Sequence, residues 1–550
     1  MTHPRIDGPI SAPTVHGAFA ATAARWPARP FLAMLPETAA AYGTEAGEIS
    51  YGEAETQVAQ RSRALERAGF GPGHRLMLLV ENRPDHFLWW LAANSLGASV
   101  VPVNPDLRAE ELEFMVGHVT PSLAIAAPDR VRDLAAAADA AGHRMPVAGL
   151  GADLPSVLAP PAFDPGTDDG AREAAVLYTS GSTGRPKGCV LSNLYFTELG
   201  NWYATEGGAC TLTQDGERML TPLPVFHMNA MGASFMAMVA VGGCLIALDR
   251  FHPKSWWASV AGSRATCLHY LGVMPSILMR LPETPQDRAH SVRFGFGAGI
   301  DPKLHAAFEA RFGFPMVEGW AMTETGAGAT ITNSRDPRRV GESCLGRPHD
   351  WLELRVVDEA GQDAGPDCPG ELLVRKAGPD PRRGFFSEYW KDPEATAQAW
   401  AGGWFHTGDV VRRNADGEVF FVDRRKNVIR RSGENIAAVE VESVLARHPE
   451  VRAVGIAAVP DALRGDEVFA CIVTDDRSAA AAERIVRWAL DRMAYYKVPG
   501  WVGFVDALPL TATQKIQRAE LKALAARLVD DPATVDTRAL KKRRSAGDAA

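Results

Sequence analysis

The sequence lacks what several specialised classes of protein require. Its seven cysteines (Cys189, Cys210, Cys244, Cys267, Cys344, Cys368 and Cys471) include no Cys-x-x-Cys pair. That spacing argues against a zinc framework or a disulfide scaffold and fits scattered, reduced thiols. There is no basic surplus: 58 Lys and Arg face 66 Asp and Glu, for a formal net charge of −8. A nucleic-acid partner is therefore not expected. No apolar run approaches the ~20 residues of a membrane-spanning helix, and the opening MTHPRIDGPISAP has no apolar signal core. No membrane span is expected, the cytoplasm is the expected compartment, and no internal repeat is visible.

What is present is an ordinary globular composition, 46% hydrophobic and 23% charged over 550 residues. A chain of that length divides into more than one core. The first part alternates strand-like and helix-like segments, the pattern of an α/β fold. RLMLLV at 75–80 is an apolar strand, HFLWWLAANSLGA a helix, and Ser99–Pro102 a strand. AEELEFMVGHV then reads as a helix and LAIAAP as a strand. Residues 152–170, rich in Pro, Asp and Gly, read as a surface connection, and a second α/β block runs from about 190 to 350. Beyond it WLELRVVD, GELLVR and GEVFFVDRR form a small β-rich module. From Asn435 a compact α+β unit begins, and the basic end Lys541–Arg544 reads as a solvated tail.

The densest chemical signal is YTSGSTGRPKG at 178–188. The apolar run Ala174–Tyr178 predicts a buried strand opening into a glycine-rich loop. Gly181, Gly184 and Gly188 permit close backbone approach. Thr179, Ser180, Ser182 and Thr183 add hydroxyls, and Lys187 a compact positive charge: together, a cradle for polyphosphate. It is not a Walker A loop, because Pro186 precedes the lysine and Gly188 follows it. Alone, such a loop also fits a solvated Gly/Ser turn, as a Thr-Glu pair, an Asp in a turn or a single lysine fits a dozen structural roles.

Taken in order, five motifs resemble the acyl-adenylate-forming (AMP-binding) superfamily: YTSGSTGRPKG, EGWAMTETG (318–326), WFHTGD (404–409), FVDRRKNVIRRSGENI (421–436) and LPLTATQKIQR (508–518). The texture is most similar to the crotonobetaine/carnitine-CoA ligase and fatty-acid-CoA ligase branch. The resemblance implies a large N-terminal domain of α/β sheets with a β-rich module (1–423), a hinge and connecting loop (424–434), and a small mobile α+β C-terminal domain (435–550).

It also implies a site. Thr179, Ser180, Gly181, Ser182, Thr183, Gly184 and Lys187 would hold the pyrophosphate. Thr323 would touch the α-phosphate, and Glu324 would bind Mg²⁺. Trp320, beside Gly319, would stack on adenine, although the family more often has Tyr-Gly where this chain has Trp320-Ala321. Gly297 and Ala298, within GFGAG, would form a loop against adenine. Asp409 and Arg424 would hold the ribose, and Lys426 would be the hinge. Ser432 and Gly433 would stand near the thiol tunnel. His227 would gate the acyl site, with Met228, Gly272, Gly299 and Ala321 lining it. Lys515 would be the catalytic lysine, with Gln514 replacing the usual glycine before it.

The implied activity is that of an acyl-CoA synthetase using ATP, Mg²⁺, coenzyme A and a carboxylic acid. The alternative is a stand-alone adenylating enzyme that loads a carrier-protein thiol. Homodimers are common among such relatives.

Overall fold

The computed structural model describes residues 8–160, 162–179, 186–424, 428–509 and 516–542. Two sheets with helices between them form the centre of the large domain. One runs, edge to edge, through Glu388–Tyr389, Lys187–Ser192, Glu173–Thr179, Ser99–Pro102, Arg75–Leu79, Leu123–Ala126 and Val147–Gly149. The other runs through Ile331–Thr332, Met316–Trp320, Phe294–Ala298, Cys267–Leu271, Arg218–Thr221, Cys244–Ala247, Pro30–Met34 and Gly47–Ser50.

Away from the antiparallel strand Lys187–Ser192 the central strands are parallel, and Arg75–Leu79, Ser99–Pro102 and Leu123–Ala126 are buried along their whole length. That is why they read as continuous apolar runs rather than alternating ones. The helices Pro84–Ser95, Asn193–Glu206 and Phe235–Val241 are buried on nearly every side, and Asn193–Glu206 carries buried Asn193, Glu198, Asn201 and Glu206 among its apolar residues. Phe87 stacks on Phe235 at 4.4 Å, and Trp90 meets Phe196 edge-on at 4.8 Å.

A third, antiparallel sheet contains Leu352–Val357, Gly370–Lys376, Phe405–Arg413 and Val419–Arg424, with Cys344–Gly346 on its edge. It delivers Asp409 and the backbone of Arg424 as register partners.

The small domain pairs Val428–Arg431 with Glu434–Ala437 and joins that hairpin to Gly465–Val473. Its sheet therefore takes in residues before Asn435, part of the segment read from sequence as a connection. The hairpin's turn needs left-handed backbone at two successive residues, Ser432 (φ 51°) and Gly433 (φ 91°).

Two expectations need correction. GFGAG is mostly strand, not loop: Phe294–Ala298 lies inside the second sheet, and only Gly299 turns, at φ 79°. Lys541 is not solvated. Its side-chain nitrogen is buried against Glu467, which also accepts from Arg431 Nε at 2.8 Å. A lysine on a chain end can be buried when a carboxylate already inside the fold supplies its counter-charge.

Candidate active site

A cavity of about 1220 Å³ opens between the large and small domains. Its wall gathers Thr179, Pro186, His227, Met228, Leu271, Ala321, Thr323, Glu324, Asp409, Arg430, Gly433 and Glu434. Residues from all three large-domain sheets and from the small domain thus meet at one place. Cavities at the carboxyl ends of parallel strands are the usual ligand sites of open α/β sheets.

The Thr323–Glu324 corner follows directly from the end of Met316–Trp320. Met322 N–H donates to Thr325 Oγ1 at 2.9 Å, closing a tight turn. Ser192 caps the next helix by accepting from Tyr195 N–H at 3.2 Å. That cap places Tyr195, whose hydroxyl donates to the Thr323 carbonyl at 2.9 Å. The Glu324 carboxylate is buried and accepts from Tyr389 O–H at 2.8 Å. Burial, reinforced by the Glu324 charge, pushes the Tyr389 phenol well up, so it remains a donor. Lys187 begins the strand Lys187–Ser192, and its Nζ lies 4.8 Å from the Tyr389 ring centre. Lysine, tyrosine and glutamate thus form one charged step beside the strand end at Thr179, the register partner of Lys187. Burial, then the charge of Glu324, also raises Cys189 well above an ordinary thiol and keeps it unreactive.

On the opposite side, Thr407 Oγ1 donates to Leu372 O at 2.7 Å and accepts from Asp409 N–H at 3.0 Å. Asp409 Oδ2 accepts from Trp320 Nε1 at 2.8 Å. Trp320 is buried, and neither it nor Gly319 lines the cavity, so the indole N–H acts here by orienting Asp409. Gly297 and Ala298 lie in the strand behind the wall. Gly299 and Ile300 donate their N–H groups to Glu318 Oε1 at 2.8 and 3.0 Å. Burial holds the Glu318 pKa above its ordinary value.

Gly272 packs so closely on this turn that a Cβ there would lie 1.6 Å from Gly299 O. At Gly433, whose φ is 91°, a Cβ would lie 2.2 Å from Leu271 Cδ1, so the small-domain turn favours glycine where it enters the wall. Beside it Glu434 Oε2 stands 3.4 Å from His227 Nε2. Ser432 sits on the same turn but not on the cavity wall.

Ser180, Gly181, Ser182, Thr183, Gly184, Lys426 and Lys515 lie outside the described residues. The strand backbone reaches Arg424. The chain on either side of 510–515 lies within the small domain: Gln517 N–H donates to Pro509 O at 2.9 Å, and Leu508 and Ile516 pack with Leu521 and Ala525.

Sequence reasoning missed Tyr389, Glu318 and the partners that seat the small domain. Lys497 Nζ reaches Glu111 of the large domain and Glu440 of the small domain, each at 2.6 Å, and Asn104 Nδ2 donates to Tyr496 O–H at 2.9 Å. A signal existed for Tyr389, which sits in the aromatic run FFSEYW. Glu318 opens the motif EGWAMTETG, but nothing there announced its bonds to the Gly299 and Ile300 N–H groups, and no signal existed for Lys497, whose partners are remote in sequence.

Comparison with known proteins identifies the family. Residues 19–390 match the AMP-binding enzyme family and residues 440–515 its C-terminal domain. The chain is 32% identical over 500 residues to a feruloyl-CoA synthase of Amycolatopsis sp., covering 90% of this chain and 98% of that protein. It is 28% identical to a crotonobetaine/carnitine-CoA ligase of Citrobacter koseri, covering 86% and 93%. A malonyl-CoA ligase solved with methylmalonyl-CoA and AMP bound superposes with a TM-score of 0.71 at 26% identity, covering 88% of this chain and 96% of that one. The chain belongs to the AMP-binding enzyme family.

Proposed function

We propose that the protein is an acyl-CoA synthetase, an ATP-dependent acid–thiol ligase acting on a small or medium aliphatic acid. In the first half-reaction a carboxylate oxygen attacks the α-phosphorus of ATP, the bond to pyrophosphate breaks, and an acyl-adenylate forms. In the second the coenzyme A thiol attacks the acyl carbon and AMP leaves. Positioning and charge neutralisation dominate the first step. Lys187 and the loop after Thr179 receive the pyrophosphate. Thr323 faces the α-phosphate, and Asp409 takes the ribose. Lys515 bridges the carboxylate and α-phosphate oxygens.

Glu324 fits a Mg²⁺ ion that arrives with the nucleotide. It is a single hard-oxygen ligand on the cavity wall, and among the described residues no group of three or more His, Cys, Asp or Glu could hold a metal by itself. Bound there, the ion would neutralise phosphate charge. All seven cysteines are unpaired and six are buried, which fits a reducing compartment, the cytoplasm.

The observation that carries this reading is the small-domain turn at Gly433, inserted beside His227 and Leu271 in the same cavity as Thr323, Glu324 and Asp409. It supports an arrangement suited to thiol attack on an adenylate held below. A screen of carboxylic acids with ATP tests it, with coenzyme A or a phosphopantetheinylated carrier protein as acceptor. Acid-dependent pyrophosphate release with thioester formation on coenzyme A is expected. Transfer only to the carrier, or no acid-dependent release, contradicts it.

A further inference from the structure

Next to His227, the segment Asn229–Ser234 forms a π-helical turn instead of continuing the helix. Such turns cost backbone geometry and recur at functional sites. Here the widened turn points Asn229 in two directions at once. Asn229 lines the cavity beside Met228, Leu271 and Met322. Behind it lies a fully buried polar chain: Tyr203 O–H contacts His269 Nε2 at 2.9 Å, and His269 Nδ1 lies 2.6 Å from Asn229 Oδ1 and 2.9 Å from Ser234 Oγ.

The proton positions in this chain follow from its members. Burial, aided by nearby acidic groups, pushes the Tyr203 phenol well up, so it keeps its proton; with Nδ1 facing the Asn229 Oδ1 acceptor at 2.6 Å, Nε2 is the nitrogen left to accept from that phenol. Burial lowers His269 to about 3, so the ring is neutral and carries its one proton on Nδ1. Ser234 O–H donates to the Asn229 carbonyl at 3.1 Å, leaving its oxygen to accept. The Nδ1–H therefore donates to Asn229 Oδ1 as well as to Ser234 Oγ, which fixes the side-chain amide with its oxygen inward. The Nδ2 amide hydrogens are then the polar group offered to the cavity.

We propose that Asn229 is a specificity-determining donor that selects acids carrying an uncharged oxygen acceptor on the acyl portion: a hydroxyl, ether or keto oxygen. This rests on the acid–thiol ligase reading above and deepens it. Tyr203, His269 and Ser234 are positioning residues that hold the amide; they do not touch the substrate. A site built to hydrogen-bond a substrate group rejects the analogue lacking it far more strongly than an apolar pocket rejects an extra methylene, because the site's own donor is then left unpaired.

The test compares ATP–pyrophosphate exchange for size-matched acids: 4-oxopentanoate against 4-methylpentanoate, and 5-methoxypentanoate against heptanoate. The native enzyme should favour the oxygen-bearing member at least tenfold in kcat/KM for the pairs it accepts. Asn229→Leu should remove the preference by losing activity on that member, mostly through KM. Asn229→Asp keeps the shape and the His269 contact but replaces the donor, and should lose the preference too. Either variant suffices if the other does not fold. Equal use of both members by the native enzyme, or a preference that survives in the variants, overturns the inference and leaves the ligase reading intact. Absence of exchange with every acid overturns the ligase reading itself and this inference with it.

Discussion

Tyr389 holds the Glu324 carboxylate from 65 positions away in sequence. A hydrogen bond to a buried charged group contributes about 1.5–3 kcal/mol. Tyr389→Phe keeps the ring under Lys187 but removes the donor, so ATP–pyrophosphate exchange should fall by about ten- to a hundredfold. An unchanged rate would show that Glu324 needs no support.

At Lys541 the charge balance gives a second prediction. One carboxylate, Glu467, serves both Arg431 and Lys541. Burial, with Arg431 adding to it, lowers Lys541 to about 7, although Glu467 pulls the other way. The folded state then binds fewer protons than the unfolded chain between pH 7 and the ordinary lysine range. Stability should therefore rise with pH across that window and be lost as pH falls back toward 7. Thermal melting from pH 7 to 10 should show the rise, and Lys541→Met should flatten it. An identical slope in the variant would assign the effect elsewhere.

At the scale of single elements, the turn Ser432–Gly433 joins local geometry to chemistry. Gly433→Ala adds a Cβ at positive φ and in collision with Leu271. Adenylation needs no such contact, so the thioester step should slow at least tenfold while ATP–pyrophosphate exchange stays within twofold. Rapid-quench measurement of each half-reaction checks this, and equal loss in both would remove the turn from the thiol step.

The elements themselves were largely legible. The strands Arg75–Leu79 and Leu123–Ala126 were readable because burial on both faces leaves a continuous apolar run. The β-rich module was readable from short strands between turns. What was not legible depends on register and distance. The family resemblance implied a loop at GFGAG, yet the segment is mostly strand, and Gly295 and Gly297 are glycine because neighbouring side chains or backbone fill the space a Cβ would need. The Asn229–His269 contact joins residues 40 positions apart and follows from a π-helical turn that no spacing rule announces. The basic tail read as solvated because nothing in KKRR reveals a buried carboxylate 74 positions earlier.

For the whole molecule, the orientation of the small domain is held by a buried three-charge contact. Although burial works against it, Glu111 and Glu440 together raise Lys497 above the ordinary lysine range, so it stays charged. Removing one member of a buried set leaves uncompensated charge and costs about 3–5 kcal/mol. Lys497→Met should therefore loosen this orientation. Small-angle scattering should show a shifted domain distribution, and thioesterification should slow more than adenylation. A scattering profile identical to the native one would show that the latch does not set the orientation.

The same orientation places Gly433 in the cavity, while the residues flanking 510–515 pack within the small domain. On the proposed function, serving both half-reactions would require the small domain to turn, bringing the segment that holds Lys515 to the site in place of the Gly433 turn. The most direct test is Lys515→Ala assayed for each half-reaction separately. Two active arrangements predict that ATP–pyrophosphate exchange is abolished while thioester formation from supplied acyl-adenylate and coenzyme A continues near the native rate. Equal loss of both would contradict the account.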